Sequence, residues 1–264
     1  MPPVKPSRTH LVLIPSYNTG RRLPQTVEAA LQHWNPVWVV IDGSTDGSPE
    51  LLQPLQERYG ERLHVIVRPI NGGKGAAVRE GTRRAVEAGF THVLTMDADG
   101  QHPAILIPEM MQLSQAHPAD LIMGKPVFGK DVPLARLLGR QLTIFWTSLE
   151  TLFAGLGDTL FGMRVYPAKP LLKGFEQATG GKGYDFDPEL AVRLAWMGCR
   201  PRQQRVPVRY FTEEEGGVSH FHYLRDNVRL TILHFRLIPE WLLFRLWFYL
   251  PHRLRWRGSA APSR

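Results

Sequence analysis

His92-Val93-Leu94-Thr95-Met96-Asp97-Ala98-Asp99-Gly100-Gln101-His102-Pro103 is an apolar run that delivers two carboxylates one residue apart, then a glycine and a proline. The apolar part reads as a buried strand over Thr91 to Met96. On a strand, residues i and i+2 point the same way, so Asp97 and Asp99 are expected to converge. Two convergent carboxylates at a strand end suit a hard divalent cation, Mg2+ or Mn2+, which takes oxygen ligands and leaves room for substrate phosphates. An Asp-Gly turn between strand and loop would use the same residue types. The segment alone leaves both readings open.

Working outward, the same design recurs upstream. Leu11 to Pro15 reads as a buried strand, followed by a helix over Leu23 to His33. Val37 to Ile41 is a second strand, broken by Asp42-Gly43-Ser44-Thr45-Asp46-Gly47, with Ser48 a helix cap and Pro49 at the first helical position. Leu63 to Val67 is a third strand, and Gly75 to Ala88 a helix. Strands that are continuously apolar and alternate with helices predict an α/β fold, a mostly parallel sheet covered on both faces. Ligands bind such sheets outside the strand carboxyl ends. Ser16-Tyr17-Asn18, Asp42 to Asp46 and Asp97 to Gln101 all fall there, so they are expected to line one crevice.

Beyond Asp120 the pattern loosens. Leu121 to Gly124 is a short strand, Leu134 to Leu156 a helix rich in aromatics, Thr159 to Tyr166 an irregular strand, Pro188 to Met197 a helix and Gln204 to Tyr210 a strand. One domain over 1–223 and a basic, aromatic C-terminal appendage over 224–264 are expected.

Composition narrows the class. The 264 residues are 43% hydrophobic and 21% charged, as in a globular protein. Net charge is +8, and the segment from Phe221 to Arg264 carries eight arginines against one aspartate and one glutamate, so +6 of the excess sits there. The single Cys199 excludes an intramolecular disulfide and fits a reducing compartment. Met1 to His10 lacks the apolar core of a signal peptide, and no uncharged apolar run of about 18 residues predicts a membrane span. The arginines cluster in a Trp- and Leu-rich tail rather than a polar groove, which argues against nucleic acid.

Asn71-Gly72-Gly73-Lys74-Gly75 precedes a helix, where exposed backbone N–H groups and a lysine favour an anion. Neither the P-loop spacing nor the dinucleotide fingerprint is present. A glycine-rich turn is the plain alternative. Taken together, Ile14-Pro15-Ser16-Tyr17-Asn18, Ile41 to Gly47, Asn71 to Ala76, Asp97 to Pro103, Gly162 to Tyr166, Phe186 to Leu190, and Val206-Pro207-Val208 leading to Gly217 through Phe221 resemble family 2 glycosyltransferases of GT-A fold. The resemblance is greatest to the dolichyl-phosphate mannose synthase and polyprenyl-phosphate glycosyltransferase branch, and runs from about Leu11 to Arg229.

The resemblance implies an inverting, metal-dependent sugar transfer from a nucleotide-diphosphate donor, UDP- or GDP-linked. It places Asp97, Asp99 and Gln101 on the metal, and Pro15, Tyr17, Asn18, Asp42 and Arg68 around the nucleoside. Lys74, Arg209, Ser219 and His220 fall near the diphosphate. The sequence departs from the family at Ile41, where an aspartate is usual, and at His222, where a stronger base is usual.

The acceptor side rests on Asp158, Arg164, Asp185 and Asp187. The resemblance puts Asp158 and Arg164 near an acceptor phosphate; a structural ion pair between them is the other reading. A hydroxyl acceptor would call for a carboxylate base, Asp187 or Asp185, whereas a phosphate acceptor is already ionised. Asp187 before Pro188 reads equally as a helix cap.

In the tail, aromatics interleaved with arginines suit a membrane interface, and an ordinary packed helix would show the same apolar spacing. The expected partners are a nucleotide sugar, a polyprenyl phosphate or other lipid-associated acceptor, the membrane surface and a membrane-protein partner. The expected location is peripheral on the cytoplasmic membrane's inner face. A transferase to a hydroxyl and a non-catalytic surface-binding protein on a transferase scaffold are the alternatives.

Overall fold

The computed structural model describes residues 4–128, 134–178, 185–208 and 223–258. The chain alternates as expected. β1 (His10–Ser16), α1 (Arg22–His33), β2 (Val37–Asp42), α2 (Ser48–Tyr59), β3 (Leu63–Arg68), α3 (Lys74–Glu87), β4 (His92–Thr95), α4 (Ile107–Ala116) and β5 (Leu121–Val127) follow in order. Then come α5 (Leu134–Glu150), β6 (Arg164–Pro167), α6 (Ala168–Gln177), α7 (Phe186–Trp196), β7 (Pro201–Pro207), α8 (Tyr223–Glu240) and α9 (Leu246–Gly258).

Among the described residues one seven-stranded sheet runs β3-β2-β1-β4-β6-β5-β7. In it only β6 is antiparallel to its neighbours. The chain order reverses between β1 and β4, which is where open α/β sheets leave a crevice. Register then fixes what meets there. Asp42 lies opposite Arg68, and Arg164 opposite Thr95. Because β6 is antiparallel, its first residue rather than its last reaches the crevice, which brings Arg164 to the carboxyl end of β4.

Alternate strand residues feed two cores. Val12, Ile14, Val37 and Val39 pack with α1 and α4, through residues such as Leu23, Val27 and Met110. Leu11, Leu13 and Val40 pack with α3, α6 and α7, through residues such as Ala77, Leu171 and Leu190. The α/β architecture, with helices on both faces of a mostly parallel sheet, is therefore the one the alternation of strands and helices implies.

Three details differ from expectation. Ser48 is the first residue of α2 rather than its cap; Asp46 accepts its N–H at 3.1 Å and its hydroxyl at 2.5 Å. The helix expected to reach Leu156 ends at Glu150. Pro239-Glu240, where a proline is expected to end one helix and start another, lies within the C-terminal helix instead. A five-residue π-turn over Trp241–Arg245 follows, and helical backbone continues to Gly258. A π-turn is a usual way for a helix to absorb such an irregularity.

The 223–258 helix packs on α5 and α7. Leu233, Leu237, Trp241 and Tyr249 join the same core as α7. Leu152 and Phe153, just past α5, have positive φ and leave carbonyls without helical partners. The Tyr249 hydroxyl donates to the Thr151 carbonyl at 2.7 Å, and Arg253 donates to those of Leu152 and Phe153 at 3.1 and 2.8 Å. No helix among the described residues is long and apolar enough to cross a membrane.

Candidate active site

Three loops at the carboxyl edge are tied to one another. The side-chain Oδ1 of Asn18 accepts the Thr45 N–H at 2.8 Å, and the Asn18 backbone N–H donates to the Ser44 hydroxyl at 3.1 Å. Asp46 accepts the Gly20 N–H at 2.7 Å. The first and second loops thus hold one shape. Asn18 itself adopts a left-handed backbone, which asparagine tolerates better than most residues.

Asp42 is buried and faces Arg68 across the β2–β3 pair in a close ion pair. Both its oxygens also accept the Gly72 N–H, at 3.1 Å each. This clamps the glycine loop before α3 onto the end of β2. Gly43 makes the clamp possible: its φ is +64°, and a Cβ there would stand 2.3 Å from the Asn71 nitrogen. Pro15 is buried in β1 opposite Val40, whereas Tyr17 is exposed at the crevice mouth.

The centre of the crevice is a chain of charges. Lys74, the first residue of α3, reaches Asp97 at 2.6 Å and Asp187 at 3.1 Å. Burial disfavours its ammonium, yet Asp187 and Asp97 outweigh this and hold its pKa above the ordinary lysine value. Asp97 answers in kind. Burial would raise its carboxyl, but Lys74 and then His102 bring it down to about 2. Asp99 moves the other way, raised by burial and by the neighbouring Asp97 charge. Gly162 leaves space for this contact, since a Cβ there would sit 2.7 Å from the Lys74 Nζ.

Asp97 and Asp99 do not sit on β4, which ends at Thr95. They belong to the turn that follows, so strand alternation is not what pairs them. The turn is fixed instead by His102, whose Nδ1 accepts the Asp97 N–H at 2.9 Å, and by Asp99, which accepts the Gln101 N–H at 2.9 Å. His102 is buried edge-on against Phe161, and burial lowers its pKa.

Arg164 is wholly buried. It donates to the carbonyls of Phe161, Thr159 and Asp187 and to the Tyr166 hydroxyl, and its guanidinium lies 3.3 Å from the Asp187 carboxylate. The sequence expectation puts Arg164 near an acceptor phosphate; here it has no exposed surface and its guanidinium supports Asp187. The Asp158 charge also favours the Arg164 guanidinium, but the close ion pair of Asp158 is with Arg140 of α5. Asp187 is not a helix cap either. Helix α7 begins at Phe186, with Asp185 in the cap position, and Asp187 turns inward to Lys74 and Arg164.

Arg209, Ser219, His220 and His222 lie outside the described residues. Sequence reading missed three contributors. His102 stood inside the quoted motif, and its polarity next to two aspartates was the available signal. Gly162 was legible only as part of a family word. Arg140 carries no local signature, because its pairing with Asp158 is set by the packing of α5.

The residues present fit a divalent ion. Among the described residues no group of three or more His, Cys, Asp or Glu side chains forms a metal cage. Two neighbouring carboxylates, one of them raised by burial and by the other's charge, are a donor set that a Mg2+-like ion would complete with substrate phosphates.

Residues 11–179 match glycosyl transferase family 2. Polyprenol monophosphomannose synthase of Mycolicibacterium smegmatis is 34% identical over 223 residues, 82% of each chain. Undecaprenyl-phosphate mannosyltransferase of Micrococcus luteus is 30% identical, over 78% of this chain and 85% of that one. Among solved structures, glucosyl-3-phosphoglycerate synthase from Mycobacterium tuberculosis, in complex with Mn2+, UDP-glucose and phosphoglyceric acid, superposes with a TM-score of 0.59 at 14% identity, over 86% of this chain and 80% of that one. S. aureus TarS superposes at 0.53 and 15%, over 90% and 73%. At these identities the structures support the GT-A fold alone.

Proposed function

The chain belongs to glycosyl transferase family 2, in its polyprenyl-phosphate glycosyltransferase branch, and from that premise we propose that it transfers a hexose from a UDP- or GDP-linked donor to a polyprenyl phosphate at a membrane surface. The observation that carries the acceptor choice is Asp187. One of its carboxylate oxygens is engaged by Lys74 and the other by Arg164, and the side chain is almost completely buried. A general base needs an oxygen within reach of the proton it takes. Asp187 offers neither a free oxygen nor an open approach, which favours an acceptor that arrives already ionised. The mannosyltransferase relatives, named for polyprenol and undecaprenyl-phosphate products or acceptors, point the same way.

The donor side follows from the loops. Asp42, locked to Arg68 and Gly72, gives the nucleoside pocket a fixed floor, and Tyr17 at the mouth offers a ring for the base. Asp97 and Asp99, with Gln101 beside them, would hold the divalent ion. When bound, that ion would neutralise charge growing on the departing nucleotide diphosphate. Lys74 stands beside it as a second, resident cation at the start of α3, aimed at the same leaving group. Asp158, held by Arg140, borders the acceptor side.

The test is a panel of UDP- and GDP-sugars with Mg2+ or Mn2+, first read as thermal stabilisation. Transfer is then measured to polyprenyl phosphate and to the matching polyprenol. A donor that stabilises only with metal, and transfer to the phosphate alone, is the expected result. Transfer to the polyprenol would restore a hydroxyl acceptor with Asp187 as base, and no stabilisation by any donor would sink the donor-binding reading.

A further inference from the structure

The 223–258 helix has two faces of different character. Its inner face is satisfied by α5 and α7. Its outer face carries Val228, Ile232, Phe235, Leu243, Trp247 and Leu254, all exposed. Val228, Ile232 and Phe235 fall at i, i+4 and i+7, one stripe of a helix. The π-turn shifts the phase once, and Leu243, Trp247 and Leu254 then take up the i, i+4, i+11 spacing. Phe235, Trp247 and Phe248 are 72%, 76% and 77% exposed. Rings exposed to that degree present on the order of 450 Å² between them. An exposed apolar area of that size spread along one helix is what an interfacial helix presents.

Charge decides what covers it. Arg229 and Arg236 are exposed, seven residues apart, along one flank of the stripe, and Arg255 is exposed beside Leu254. The segment from Phe221 onward holds +6 of the chain's +8. A second copy docked symmetrically would set this basic segment against itself. An anionic bilayer instead accepts the rings at headgroup depth and pairs each arginine with a lipid phosphate.

We propose that the outer stripe of the 223–258 helix is a docking face that lies in the plane of an anionic lipid bilayer, with its apolar side chains below the headgroups and Arg229, Arg236 and Arg255 at phosphate level. This rests on the polyprenyl-phosphate reading, and it adds which surface meets the lipid. Helix α5 connects the face to the chemistry. Its Trp146 stacks on His234 of α8 with ring centroids 6.1 Å apart, and its Arg140 holds Asp158 beside the crevice. The orientation of the helix on the bilayer therefore fixes the height of the acceptor side above it.

Flotation of the full chain with phosphatidylcholine vesicles, and with vesicles containing one third phosphatidylglycerol, tests the proposal. Binding to the anionic vesicles should fall by roughly tenfold or more in Phe235→Ser/Trp247→Ser/Phe248→Ser, and by less in Arg236→Gln/Arg255→Gln. Both variants should melt like the parent, since all five side chains are exposed. Both should also keep thermal stabilisation by the nucleotide sugar. A parent that stays with neither vesicle, or a triple variant that floats as well as the parent, overturns the proposal. So does a parent that sediments as a dimer and becomes a monomer in the triple variant. Sugar transfer to polyprenyl phosphate in detergent is scored separately. If that persists while vesicle binding fails, the docking face is wrong and the transferase reading stands.

Discussion

Two clusters of paired charges lie on opposite sides of α7, and Asp97 in one and Glu150 in the other shift in opposite directions. In the crevice, Lys74 bridges Asp97 and Asp187, and the Asp97 carboxyl is brought down to about 2 although burial alone would raise it. Between α5, α7 and α8, Glu150 meets His234 at 2.8 Å, and Arg193 joins Glu189 to Glu240. There burial wins, and the Glu150 carboxyl is raised. The difference is access. Lys74 and Asp97 each keep part of their side-chain surface in a cleft that a ligand can enter, whereas Glu150, Glu189 and Arg193 have almost none. The first cluster can exchange partners during a reaction. The second can only hold helices together.

The sharpest way to break that distinction is to remove a partner from each cluster. Arg193→Met takes one member from a buried pair and should cost about 3–5 kcal/mol of stability, read as a shifted urea midpoint. Turnover per folded molecule should change little. Severe loss of turnover without loss of stability would mean that the inner cluster takes part in the reaction.

Asp99→Ala should behave in reverse. It removes one oxygen donor from the proposed metal site, and transfer should fall on the order of 10²–10³-fold, as when one fixed charge-stabilising group is lost elsewhere. The melting temperature without ligand should hold or rise slightly, because burial and Asp97 already disfavour the Asp99 charge. An active Asp99→Ala protein would remove the metal from this turn.

Lys74→Met divides the crevice further. Without the ammonium, Asp97 and Asp187 lose the cation they share, so Mg2+ alone should bind more tightly, by roughly tenfold or about 1.4 kcal/mol. The nucleotide sugar should bind more weakly by a similar factor, since Lys74 also faces the diphosphate in the proposed arrangement. Calorimetry with Mg2+ alone and then with donor reads the two changes separately. If both weaken together, Lys74 supports the fold of the turn and does not compete with the metal.

The crevice was more legible in the sequence than the inner cluster, for a physical reason. Parallel strands put their carboxyl ends on one edge, so Asn18, Asp42 and Asp97 could be placed together from strand order alone. The glycine turn before α3 announced itself by composition. What local pattern could not give was partner choice. Arg164 faces Asp187 because β6 is antiparallel, and Arg140 reaches Asp158 because α5 lies across that loop. Both are consequences of tertiary packing. Asp97 and Asp99 were expected together for a reason that proved wrong, since the turn and His102 place them rather than strand alternation. The C-terminal helix showed its apolar and basic content plainly. Its division into an inner bonded face and an outer bare one depends on where α5 ends, and Glu150 to Phe153 gave no signal of that.

Glu150 offers the smallest effect and the finest test of the contrast. Burial holds its folded-state pKa above the ordinary 4.5, with the His234 hydrogen bond pulling the other way. The folded chain therefore binds this proton more tightly than the unfolded chain does. The corresponding stability is fully present below the unfolded value and is lost as pH rises through the folded one. Glu150→Gln keeps the shape and removes the titration. Urea midpoints measured from just below the ordinary glutamate value up to neutrality should drift downward in the parent and less so in Glu150→Gln, the two curves separating towards neutral pH. Asp97, already ionised across that range, should add no such drift. If the curves stay parallel, Glu150 does not carry the raised pKa, and the inner cluster holds its charge as readily as the crevice does.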